Sequence, residues 1–129
     1  MKIFHTISVK RPDFEYWHRF PPNHEIPNQV YGSEFYTISK TEDEVSIVCS
    51  SSIQLNSEKS ETGWSCLMVV GPLDFSLTGI LAEISAVLAE ADISIFAIST
   101  FDTDYILIKT EKLPLAIEAL LASGHTFKQ

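Results

Sequence analysis

The sequence predicts an α+β chain: a β-α-β-β-α-β C-terminal half following a strand-rich N-terminal part. Two amphipathic helical stripes, the short β-branched apolar runs around them, and the lack of helical periodicity before residue 60 carry that reading. A length of 129 residues, 45% of them hydrophobic, suffices for one compact core or two small lobes.

"GWSCLMVVG" (63–71) is rich in β-branched and aromatic residues and closes on Gly71-Pro72, so it reads as a strand ending in a turn. Leu77, Ile80, Leu81, Ile84, Val87, Leu88 and Ala91 then repeat at helical spacing, with Glu83 and Glu90 on the opposite side. "ISIFAIST" and "YILIKT" are short strands separated by Phe101-Asp102-Thr103-Asp104, which suits a hairpin. In "LPLAIEALLASG", Leu113, Ile117, Leu120 and Leu121 fall on one face, with Pro114 in the first turn and Gly124 past the end. "HTF" supplies a last short strand. A sheet with both helices on one face buries both stripes.

"IFHTISV", "FEYWHRF", "EFYTISK" and "EVSIVCS" read as four N-terminal strands, with Pro21, Pro22 and Pro27 breaking the segment after the second. The polar stretch 50–63 reads as a connection between lobes, which places domain limits at 1–60 and 61–129. Tyr16 and Trp17 must point to opposite sides of a strand, so one of these aromatics is expected to meet a partner chain or the second lobe.

The formal charge of −8 is uneven: residues 1–60 hold eight acids and six bases, and 61–129 hold nine acids and three bases. Such a surface repels phosphate backbones and disfavours nucleic acid. With no run of eighteen apolar residues and no signal-peptide pattern, the expectation is a soluble, cytoplasmic protein without membrane contact. Cys49 and Cys66 show no zinc or redox spacing and read as buried thiols. His5, His18, His24 and His125 are scattered, so no metal or cofactor site is expected. Nucleophile elbows and phosphate-cradling loops are absent, and the acid pairs read as turns, so no enzyme is expected.

In "GPLDFSLTGILAEI" (71–84), Asp74, Ser76 and Thr78 sit where a helix would begin. They satisfy its first N–H groups as caps, or they border a helix N-terminus that takes the carboxylate of a ligand, with Asp74 suited to an ammonium group. In "STFDTDY" (99–105), Asp102 and Asp104 are either turn formers or a local negative pocket for a guanidinium or ammonium group. Ile95, Phe96, Ile98 and Phe101 read as core or as an apolar wall.

The element order, "GPLDFSLTGIL" and "ADISIFAISTFDTDYILI" together resemble an ACT domain, a ferredoxin-like module, with Gly79 as the glycine that opens its first helix. More narrowly, "LDFSLTGILAEIS", "ISIFAISTFDTDYILI" and "EDEVSIVC" are similar to small bacterial ACT proteins related to the CASTOR cytosolic arginine sensors. The resemblance implies an ACT domain at 61–129 behind a degenerate ACT-like lobe at 1–60. It implies a non-catalytic regulatory module that binds an amino acid or similar small polar ligand, paired as a homodimer and passing its signal to a separate protein partner. Its ligand residues would be Asp74, Phe75, Ser76, Leu77 and Thr78 at one end, and Ile95, Thr100, Phe101, Asp102 and Asp104 at the other. A module that keeps the fold for protein interaction or dimerisation, without a ligand, is the alternative.

Overall fold

The computed structural model describes residues 6–70 and 79–128, with the backbone alone for 10–16. The elements are β1 (Thr6–Phe20), β2 (Thr37–Lys40), β3 (Val45–Ser50), β4 (Lys59–Val69), α1 (Ile80–Glu90), β5 (Ile95–Ser99), β6 (Asp104–Lys109), α2 (Leu113–Ala122) and β7 (Thr126–Lys128). They form two compact units, Met1–Pro12 with Ser65–Gln129, and Asp13–Trp64. β1 and β4 contribute residues to both. The described residues 6–12 of β1 belong with the C-terminal part in the first unit.

In the first unit the strand order is β7-β1-β4-β6-β5, with β7 parallel to β1 (Ile7 opposite Phe127) and β5 antiparallel to β6 (Ala97 opposite Ile106). Its core joins Ile7, Leu67, Val69, Ile106 and Ile108 from the strands with Ile80, Ile84 and Leu88 of α1 and Ala116 and Leu120 of α2. Leu67 and Val69, like Ile106 and Ile108, are two residues apart and share one sheet face. Both helices cover that face, as the periodicity predicts. On α2 the buried line runs through Leu113, Ala116 and Leu120, while Leu121, expected inside, is exposed. Small Ala116 lies on that inner line, which shifts the buried stripe away from Leu121.

Both helices end alike. Asp92 N–H donates to the Ala89 carbonyl at 2.9 Å and Ile93 N–H to that of Leu88 at 3.0 Å. At α2, Gly124 donates to Leu121 at 3.0 Å and His125 to Leu120 at 3.1 Å. This double bond pattern requires a left-handed residue just past the helix, supplied by Gly124 (φ 103°) and by Asp92 (φ 62°).

The second unit has the order β2-β3-β1-β4, with β3 antiparallel to β1 (Trp17 opposite Val48). Val45, Ile47 and Cys49 alternate onto a core with Phe20 and Val30, flanked by Ile26, Ile38, Ile53 and Leu55. Among the described residues no helix longer than a short 3-10 turn (Asn28–Gly32) covers this face. Loop residues fill it instead. On the other β1 face, Trp17 packs edge-on against Trp64 with ring centroids 5.8 Å apart and donates from Nε1 to Ser46 Oγ at 2.9 Å.

Three expectations change. "IFHTISV" and "FEYWHRF" are one strand, continuous through Pro12. Along one side of β1 the partner is β7 at 6–8 and β3 at 15–20, so the proline falls where the pairing partner changes and a missing N–H is tolerated. "EFYTISK" contributes strand only from Thr37. The supposed connection at 50–63 also contributes the start of β4: Glu58 N–H donates to the Arg19 carbonyl at 3.0 Å, and Lys59 to Thr62 are strand although exposed. Exposed polar strand carries no alternation to read.

His18 is only 1% exposed, with Nδ1 2.8 Å from Ser57 Oγ, and burial pushes its pKa below the ordinary value of 6.5. The native state therefore favours the neutral ring, and its contribution is complete above pH 6.5 and lost as pH falls from there through the lowered native pKa. Thermal melts of wild type and His18→Gln across that window should converge as pH falls; parallel curves would contradict this. Asp92→Ala should destabilise the protein by about 1 kcal/mol in denaturant titrations, whereas Asp92→Gly should not, because only glycine adopts this φ without strain.

Candidate functional site

α1 starts at Ile80, and its cap position is Gly79. The N-cap residue itself therefore has no side chain with which to cap the helix. Gly79 is left-handed (φ 81°), its carbonyl accepts from Glu83 N–H at 2.8 Å, and a Cβ there would meet nothing within 4 Å among the described residues. That backbone conformation favours glycine. Asp74, Phe75, Ser76, Leu77 and Thr78 lie outside the described residues. Their flanks are fixed: Val70 N–H donates to the Thr6 carbonyl at 2.9 Å before them, and α1 begins immediately after Gly79.

The β5-β6 hairpin is held by its own small side chains. Thr100 N–H donates to the Thr103 carbonyl at 2.8 Å, Thr100 Oγ1 donates to the same oxygen at 3.1 Å, and Thr103 N–H donates back to Thr100 Oγ1 at 3.3 Å. Ser99 Oγ donates to Asp104 Oδ1 at 2.6 Å. Asp104, the first residue of β6, is half-buried; Asp102 lies in the exposed turn, outside the strand. The alternation that would put both acids on one side does not reach Asp102. Their chemistry differs accordingly, with one oriented carboxylate at a strand start and one solvated carboxylate at a turn.

Phe101 is 82% exposed, so it is no part of the core. Ile95 stands at the opposite end of β5, opposite Ile108, and packs against the core of the first unit. Four residues of strand, roughly 13 Å, separate it from the turn. Thr100, Phe101, Asp102 and Asp104 are thus brought together, and Ile95 is not. Behind the turn, burial, then Cys66 and then the negative charge of Asp102, raise the pKa of the Tyr105 phenol.

Sequence reasoning missed Thr103. It is 7% exposed, although Phe101 and Asp102 before it are exposed, and its Oγ1 donates to the Val69 carbonyl at 2.5 Å, fastening the turn to the last residue of β4. A threonine among turn formers gives no sequence signal for this bond. In the second unit a groove is lined by Trp17, His18, Arg19, Lys59, Ser60 and Glu61, none of them an expected ligand residue. Among the described residues no group of three His, Cys, Asp or Glu side chains is placed to hold a metal, and no helix is long and apolar enough to cross a membrane.

A family model for the ACT domain matches residues 59–122, and a second model, for an N-terminal domain, matches 18–53. The chain is 32% identical over 114 residues to the human cytosolic arginine sensor for mTORC1 subunit 1, covering 76% of this chain and 34% of that protein. To the bovine protein of the same name it is 36% identical over 126 residues, covering 89% and 38%. The chain thus spans little more than a third of these relatives. A crystal structure of an Agrobacterium tumefaciens protein matches with a TM-score of 0.89 at 30% identity, covering 98% of this chain and 94% of that one. The ligand-free regulatory subunit of aspartate kinase from Thermus thermophilus shares the fold, with a TM-score of 0.68 at 9% identity over 95% and 99% of the two chains. With its glycine-opened first helix, two helices on one sheet face and βαββαβ order, the chain belongs to the ACT-domain family.

Proposed function

We propose that this chain is a regulatory module without catalytic activity that binds an amino acid or a similar small polar molecule. The ligand lies between the segment 71–78 and the hairpin 99–104 of the ACT domain. The observation that carries the proposal is the orientation of Asp104. One carboxylate oxygen is fixed by Ser99, which leaves the other to meet a cationic group in a set geometry. The solvated carboxylate of Asp102 contributes less, since exposed ion pairs are worth about 0 to 1 kcal/mol. Support also comes from the relatives named as arginine sensors, which make L-arginine the first ligand to try. The backbone N–H groups of the first turn of α1, reached through 71–78, suit the carboxylate end.

The module acts in the cytoplasm as a homodimer, with no nucleic acid or membrane partner. It signals by differential binding: a ligand that favours one arrangement shifts the population that a protein partner meets. The interaction-only reading draws on exposed Phe101 at the hairpin tip, a large apolar group that a partner would cover.

Titration with each proteinogenic amino acid, followed by unfolding temperature and calorimetry, separates the two. A ligand of about ten heavy atoms at roughly 0.5 kcal/mol each binds with about 5 kcal/mol, a Kd near 0.2 mM. Stabilisation by one or a few amino acids is expected. Asp104→Asn should weaken a cationic ligand tenfold or more, on the order of 2 kcal/mol, with Asp102→Asn doing less. No response up to tens of millimolar, in protein first shown to be folded and ligand-free, would favour the interaction reading.

A further inference from the structure

We infer that the start of β4 is the surface through which two copies of this chain pair, as antiparallel strands centred on Ser60. The interface belongs to the homodimer proposed above and rests on that reading. In the second unit the order β2-β3-β1-β4 ends on β4, and Lys59 to Thr62 are exposed strand. β6, the neighbour of β4 on that side, runs beside its later part: Thr110 Oγ1, one residue past the end of β6, lies 2.9 Å from Ser65 Oγ, and Thr103, one residue before its start, bonds to Val69. β6 therefore stops short of Lys59 to Thr62. A strand edge left open in this way is a template for another strand.

The residues of that edge set the direction and the register. Glu58 N–H donates to the Arg19 carbonyl on β1, so by the alternation of an antiparallel ladder Ser60 also turns its backbone groups toward β1, and Lys59 and Glu61 turn theirs outward. The side chains of Lys59 and Glu61, two residues apart, share one face. A two-fold axis at Ser60 sets Lys59 opposite the partner's Glu61 and Glu61 opposite the partner's Lys59, in positions where facing residues exchange both backbone hydrogen bonds. Ser60 then meets its own copy in the closer, non-hydrogen-bonded position, with Cα atoms about 4.5 Å apart. Centring the pair on residue 59 or 61 instead would set like charges face to face, which is destabilising. The edge is thus complementary to itself in one register and refuses the two beside it. Gly63, left-handed at φ 79°, interrupts the regular strand two residues on and keeps the ladder short.

The experiment is sedimentation equilibrium of the full chain, at concentrations up to about 1 mM, with variants that change only exposed side chains. Wild type should dimerise. Lys59→Glu alone, or Glu61→Lys alone, turns both cross-strand pairs into like charges and should raise the dimer Kd about tenfold. Lys59→Glu combined with Glu61→Lys in one chain restores opposite charges and should restore wild-type affinity, and a mixture of the two single variants should form the heterodimer equally well. Ser60→Cys should give an intermolecular disulfide under mild oxidation, because its two Cα atoms fall within disulfide range, whereas Thr62→Cys, displaced along the ladder from its own copy, should not. Cys49 and Cys66 are buried and do not compete. Single variants that dimerise like wild type, a double variant no better than the singles, or equal cross-linking at 60 and 62 would each overturn this interface and leave the homodimer reading standing. A wild type that stays monomeric at about 1 mM would overturn the homodimer reading and the interface with it.

Discussion

The structure depends on one constraint: each apolar sheet face must be covered. In the first unit, Leu67, Val69, Ile106 and Ile108 form an apolar stripe that α1 and α2 close. Burying each such side chain is worth about 1.5 to 3 kcal/mol, so the placement of both helices follows from the stripe and not from their own propensities. The second unit meets the same requirement by another route. Ile26, Val30, Ile53 and Leu55, all outside regular strands, close over Phe20, Val45, Ile47 and Cys49.

That constraint also fixes the flanks of the proposed site. A helix covering the sheet must begin where the chain leaves β4, and the left-handed Gly79 makes the reversal into α1. The β5-β6 turn is fastened to the end of the same strand by Thr103. That turn is short and carries the exposed residues Phe101 and Asp102, as expected of a segment available for recognition.

Much of this was legible in the sequence. The stripe from Ile80 to Leu88, the glycine past α2 and the β5-β6 hairpin all follow from periodicity and turn chemistry, because each is a local signal that burial reinforces. What escaped was set by pairing at a distance. β1 runs through Pro12 because its partner changes there, and the first residues of β4 are strand because they lie beside β1, although Lys59 to Thr62 look like linker. At the candidate site, the acids were visible by type, but the difference between them was not. Ser99 makes Asp104 an oriented group and leaves Asp102 a solvated one, and the hydroxyl of Thr103 matters only because Val69 is opposite it.

The central claim is that 71–78 and 99–104 hold one ligand between them. A crystal structure of the protein grown with saturating L-arginine tests it most directly. The account predicts density for the amino acid with its cationic group on Asp104 and its carboxylate toward the first turn of α1. Arginine bound in the groove beside Trp17, or an unoccupied hairpin edge in protein that calorimetry shows to be saturated, would contradict it.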